Sequence, residues 1–252
     1  MLNELRDTVV FVTGGARRVG RGIVLGFAAQ GAHVIIHHGS SDEAAAETAA
    51  AARAFGVEAL VVKADLTKRA QLERAFAQAR DHFARLHVLV NNAANYEKND
   101  LLEIEADEWN KVIEVNLNAP FWATQQAGRW MREQGIPGSI INIGDNYGLR
   151  PSHIRPHHSV SKAGLIMLTQ VTARALARYQ IRANCLVLGP IIPGPGTDEA
   201  TWAAVEQRLP LKRSGDVEDV ARAAIFLAAN DFITGAVLRV DGGEWLGDAT
   251  VD

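Results

Sequence analysis

A chain of 252 residues with 48% hydrophobic content is long enough to bury a full core as a single domain spanning residues 1–252. Its 26 basic and 29 acidic side chains leave a net charge of -3, with no Lys/Arg run longer than two, so nothing gathers a polyanion and nucleic acid is excluded as a partner. A single cysteine, Cys185, rules out internal disulfides and fits a reducing compartment; with charges at the N-terminus and no apolar run of bilayer length, a cytoplasmic protein without membrane contact is predicted.

In chain order, β-branched apolar runs alternate with longer segments of helical period. "TVVFVT" precedes "RGIVLGFAAQG", "AHVIIH" precedes "DEAAAETAAAARAFG", and "EALVVKADL" precedes "AQLERAFAQARDHFA". "HVLVNNA", "SIINIG", "RANCLVLG" and "GAVLRV" continue the series. Runs apolar on both faces and separated by helices predict an α/β fold: one Rossmann-fold domain, doubly wound, with a seven-stranded, mainly parallel sheet covered on both faces. The one irregular segment, "GPIIPGPGTDEATWAAVEQRLPLKRSGD", crowds Pro190, Pro193 and Pro195 among glycines ahead of Trp202. It leaves the carboxyl end of a strand, where such sheets bind ligands, and is read as a substrate lid over about residues 189–214.

"VVFVTGGARRVGRGI" places glycines after the first strand and at the start of the first helix, where backbone approaches a pyrophosphate closely and the helix N-terminus offers N–H groups. Gly14, Arg17, Arg18, Val19 and Gly20 are therefore candidate cofactor residues. The second strand ends "IIHHGSS", with no acid before Asp42 to hold a ribose diol. Arg17, Arg18, His37, Ser40 and Ser41 would instead surround a 2′-phosphate, which favours NADP(H) over NAD(H).

Several motifs in order now carry a family resemblance: Thr13-Gly14 with Gly20, "ADL" at 64–66, "NNAA" at 91–94, Asn116 in "EVNLNAPF", "SIINI" at 139–143, Lys162 in "SKAGL", Gly189-Pro190, "LPLKRSGDVEDVA" and "VDGG" at 240–243. The chain resembles the short-chain dehydrogenases/reductases over nearly its whole length. Arg18 stands where the family's middle glycine usually falls, and this Arg-Val-Gly is similar to the pteridine reductase branch. The resemblance implies that Asp65 and Leu66 flank the adenine, that Asn92, Ala93 and Ala94 line the ribose and nicotinamide side, and that Lys162, Pro190 and Ile192 touch the cofactor. It also implies a homotetramer, through helices around residues 107–134 and 158–180.

In that family a Tyr-x-x-x-Lys pair and a serine perform carbonyl reduction. Lys162 is present, but the tyrosine position holds His158 and the serine position holds Asp145. Three substitutes for the lost phenol are open. His158 donates the proton itself or through water; Asp145 serves a substrate with C=N rather than C=O, as an amino-pterin ring would offer, with Tyr96 beside it; or Tyr147, two residues beyond Asp145, reaches into the site. Asn116, Asp145, His158 and Lys162 are the catalytic candidates, and Tyr96, Asp145, Tyr147, Ile191 and Trp202 face a small-molecule substrate. The expected activity is NADP(H)-dependent reduction of a pterin-like or other C=N/C=O compound; the alternative is an NADP(H)-binding relative without redox activity, a sensor or partner subunit. No metal is expected, because Pro156 interrupts the spacing of His153 and His157.

Overall fold

In the computed structural model, which describes residues 5–194 and 196–247, each of the seven apolar runs becomes a strand. They are β1 (Val9–Val12), β2 (His33–His38), β3 (Ala59–Lys63), β4 (Val88–Asn91), β5 (Gly138–Asp145), β6 (Ile181–Leu188) and β7 (Val237–Val240). The order is β3-β2-β1-β4-β5-β6-β7, and every neighbouring pair is parallel. The sheet is thus wholly parallel. Of the expected spans, residues 1–4, Pro195 of the lid segment and residues 248–252 lie outside the described residues.

The helices are α1 (Arg18–Ala29), α2 (Asp42–Arg53), α3 (Arg69–His82), α4 (Ala106–Ile113), α5 (Ala119–Gln134), α6 (Pro156–Leu176), α7 (Glu199–Arg208) and α8 (Val217–Ala229). Because strand side chains alternate, β1 feeds two cores: Val10 and Val12 pack with Ile23, Phe27 and Leu227 on one face, and Val9 and Phe11 with Phe76 and Trp130 on the other. Phe11 and Phe76 stack at 4.5 Å between ring centres. Burying one such ring stabilises by roughly 1.5–3 kcal/mol.

Winding runs outward from β1 to β3, then returns to β4 on the other side. The carboxyl ends of β1 and β4 therefore open a crevice at the switch point, which is where the phosphate turn and the Asn91–Ala94 segment sit. One π turn, Glu114–Asn118, joins α4 to α5 and carries Asn116 inward. Among the described residues no helix is long and apolar enough to cross a membrane.

Candidate active site

The phosphate turn is built by close approach. Gly14 has φ +63°, and a Cβ on Gly20 would meet the Gly14 carbonyl oxygen at 2.1 Å and Asn92 Nδ2 at 2.6 Å. Only glycine fits at 20. Arg18 also adopts a left-handed φ of 50°, a strain of about 1–2 kcal/mol for a residue with a Cβ, which accounts for the glycine usual at this position. Its Nη2 donates to the Pro193 carbonyl at 2.8 Å, tying the turn to the lid segment. Arg17 and Ser40 are exposed, with Val19 and Ser41 half-buried near them at the heads of α1 and α2.

His37 departs from the expectation. It is 2% exposed, its Nδ1 accepts the Gly14 N–H at 3.1 Å, and its Nε2 lies 3.0 Å from the Ala64 carbonyl. With both ring nitrogens occupied between β1, β2 and β3, the ring has no donor left for a phosphate: it props the turn from behind. Burial pushes its pKa down to about 4. Asp42, the first acid past β2, is held by Lys63 at 2.8 Å. Asp65 is exposed and its Oδ1 accepts from Thr67 N and Oγ1 at 2.9 and 2.8 Å, which pins the turn after β3; Leu66 beside it is buried.

Asn92 fastens the next segment. Its backbone N–H donates to Thr13 Oγ1 at 2.9 Å and its amide to the Thr13 and Gly14 carbonyls at 2.9 and 3.1 Å. Ala93 lies against Gly14, and Ala94 is exposed beyond it.

At the chemical end, Asp145 closes β5 and its Oδ1 accepts the Tyr147 N–H at 2.7 Å. That bond folds Asn146–Gly148 into a single 3-10 turn, keeping Tyr147 over the site. His158 lies in the first turn of α6, 2% exposed. Its Nδ1 is 3.1 Å from the Asn95 carbonyl and 3.3 Å from Asn116 Nδ2. Its Nε2, 3.5 Å from Asp145 Oδ2, is close enough for an ion pair and long for a hydrogen bond. The Asn116 amide clamps the same carbonyl: it accepts from Asn95 N at 2.6 Å and donates to Asn95 O at 2.9 Å. Lys162, 3% exposed, donates from Nζ to the Ile143 carbonyl at 2.7 Å. Burial pulls its pKa below the usual lysine value, against the opposing field of Asp145.

Tyr96 lies edge-on to His158 at 4.7 Å, and Tyr147 is 6.4 Å from Tyr96, nearly parallel to it. The tyrosines form an aromatic wall beside the histidine. Burial, followed by the Asp145 charge, raises the Tyr96 pKa well above that of a free phenol.

Two substrate expectations divide. Ile191 is 6% exposed and belongs to the core, so it anchors the base of the lid segment rather than facing a ligand. Trp202 is half-buried on α7, a helix with no buried residue; Pro190 and Ile192 are half-buried before it. His153 is exposed, apart from the rest. His157 is fully buried and pairs with Glu108 at 3.0 Å; Glu97 stands nearby, its carboxylate already met by Lys111 at 2.9 Å. The parts that sequence reasoning missed are Arg155, half hidden in a helix-start pattern, and the Asn95 carbonyl, which no side-chain motif marks.

A family model described as "Enoyl-(Acyl carrier protein) reductase" matches residues 14–244. The chain is also 34% identical, over 95% of its length and 93% of the other, to a "Short-chain type dehydrogenase/reductase" of Picea abies. This protein belongs to the short-chain dehydrogenase/reductase family. Another member, L-rhamnose 1-dehydrogenase (NAD(P)(+)) of Azotobacter vinelandii, is 36% identical over 95% of this chain and 97% of that one. Among solved structures of the fold, a blue fluorescent protein from a metagenomic library, in complex with NADPH, superposes with a TM-score of 0.87 at 33% identity, covering 95% and 98% of the two chains. Against the family's Tyr-x-x-x-Lys pattern, this short-chain dehydrogenase/reductase keeps the buried lysine and places an imidazole one turn before it.

Proposed function

We propose that this short-chain dehydrogenase/reductase is an NADP(H)-dependent oxidoreductase that reduces a C=N or C=O substrate, a pterin-like ring among the candidates, with an imidazole–carboxylate pair in place of the family's phenol and serine. The observation that carries the reading is the setting of His158: Nδ1 held by the Asn95 carbonyl, Nε2 turned to Asp145, and Lys162 buried one turn away.

The glycine cradle at Gly14 and Gly20, which no Cβ can enter, fits a dinucleotide pyrophosphate. The bound nicotinamide would supply the hydride. Everything else falls to the chain. Arg17 and Arg18, with no acid on β2, support a 2′-phosphate; the NADPH complex of the blue fluorescent protein agrees with that, while the rhamnose dehydrogenase named for NAD(P)(+) sets no preference. The Nδ1 contact with Asn95 O fixes the ring and leaves Nε2, the nitrogen without a hydrogen-bond partner among the described residues, as the one that exchanges a proton with the substrate. Asp145 offsets the charge of Lys162 and lies 3.5 Å from Nε2. With its proton given, Nε2 becomes the acceptor that serves the reverse direction. Tyr96 and Tyr147 supply a flat apolar wall for a planar substrate.

The test follows NADPH oxidation by wild type, Asp145→Ala, His158→Ala and His158→Tyr on dihydropteridine, imine, quinone and simple ketone substrates. Loss of roughly 10²-fold or more in each alanine variant is expected; unchanged turnover in both overturns the assignment. A second reading, NADPH binding without turnover, draws on the imidazole being shorter than the phenol it replaces. It predicts tight NADPH binding and no oxidation with any substrate. In either case the protein is proposed to be a cytoplasmic homotetramer.

A further inference from the structure

Arg155 is the residue before Pro156, and as the N-cap of α6 its backbone stays out of the helical region. It is 7% exposed, and its Nε has no hydrogen-bond partner among the described residues. Nor does any carboxylate among them lie within ion-pair distance of it. Arg182 shows the ordinary alternative: its guanidinium is taken up by the carbonyls of Leu227, Ala228 and Ile233 at 2.8–3.0 Å. The acids around the site are committed to other partners. Asp145 faces His158 and the Tyr147 N–H, Glu108 holds His157 and Asn99, and Glu97 holds Lys111 and Asn95.

What the guanidinium does touch is the substrate wall. Its central carbon lies 3.9 Å from the centre of the Tyr96 ring, the same ring that stands 4.7 Å from His158. A cation–π contact offsets only part of the cost of burying a charge. Among the described residues the planar fork has no hydrogen-bond or ion-pair partner, and it is the group best shaped for two parallel hydrogen bonds to a carboxylate. Tyr96 is 47% exposed, so this corner opens to solvent and to an arriving ligand.

We infer that Arg155 anchors a carboxylate of the substrate, one ring-width from the atom reduced beside His158 and Asp145. The substrate class is accordingly a small carbonyl or imine compound whose acid group stands several bonds from the reacting carbon, such as a 4-oxo acid or an acylbenzoate. This rests on the reading above for where reduction occurs, and adds what holds the other end of the molecule. Asp145, spoken for by His158, marks the reacting end; Arg155 marks the anionic end, so charge fixes the orientation of the substrate.

The experiment titrates the NADPH-loaded protein with a series of oxo acids of graded span from 4-oxopentanoate to 4-acetylbenzoate, each beside its methyl ester, and records both binding and NADPH oxidation. Wild type is expected to bind at least one acid ten- to hundredfold more tightly than its ester, the range of about one charge-assisted pairing. Arg155→Gln abolishes that preference with NADPH affinity intact, and Arg155→Lys, which keeps the charge but not the fork, retains part of it. If no acid outbinds its ester in wild type, or if the preference survives in Arg155→Gln, the inference is overturned. Should the Gln variant not fold, the wild-type comparison and the Lys variant decide. Acids held through Arg155 without NADPH oxidation would leave the anchor standing and remove the redox reading; oxidation indifferent to acid or ester would do the reverse.

Discussion

Replacing His37 by phenylalanine tests whether the ring is a strut or a phosphate ligand. The native imidazole accepts the Gly14 N–H at 3.1 Å and bonds the Ala64 carbonyl at 3.0 Å, while 2% exposed. Phenylalanine keeps the volume and leaves two inward backbone groups unpaired, each worth about 1–3 kcal/mol, so a loss of about 2–6 kcal/mol is expected. A second signature follows from protonation. Burial lowers the pKa from 6.5 to about 4, so the unfolded chain binds the proton more readily between those values. The stability from the neutral ring is full above about pH 6.5 and lost as pH falls towards 4, a drop of about 3 kcal/mol at 1.36 kcal/mol per pKa unit. Urea unfolding of wild type and His37→Phe from pH 8 to pH 4 reads both. The variant should begin less stable and fall less steeply with acid. His87, its pKa also lowered to about 4 by burial, keeps part of the slope in both proteins. Equal stability and equal slopes, with NADPH binding weakened, would refute the strut and return His37 to the cofactor.

Three further outcomes are expected. Gly20→Ala, whose Cβ would lie 2.1 Å from the Gly14 carbonyl oxygen, should weaken NADPH binding by at least about tenfold in fluorescence titration, since the turn must open to admit it. Arg18→Gly should relieve about 1–2 kcal/mol of backbone strain yet narrow the preference for NADPH over NADH by about tenfold, measured as the ratio of dissociation constants; an unaltered ratio would remove Arg18 from phosphate recognition. On the outer faces of α5 and α6, Phe121, Met167 and Val171 are exposed, and Val171→Arg should break the proposed tetramer in sedimentation without loss of secondary structure.

The sequence by itself determined what is local or periodic. Alternation of apolar runs with helical segments specified the seven strands, because residues buried on both faces of the sheet's middle strands must be apolar, although the edge strand β7 is itself only partly buried. Thr13 to Gly20 was legible as a phosphate turn, since the glycines there answer to backbone geometry within eight residues, and the spacing of His158 and Lys162 put them one helical turn apart. Tertiary structure decided the rest. Whether His37 on β2 faces a ligand or the interior depends on its register beside Val62 and on Ala64, which no pattern within β2 encodes. Ile191 joined the core cluster to which α8 and β5 also contribute, although its proline-rich neighbourhood reads as surface. Arg155 and the Asn95 carbonyl meet the site across 59 and 63 residues of chain respectively, through contacts to Tyr96 and His158. Such contacts are chosen by where whole elements dock, and the energy that selects them comes from the packed core, not from the few residues it brings together.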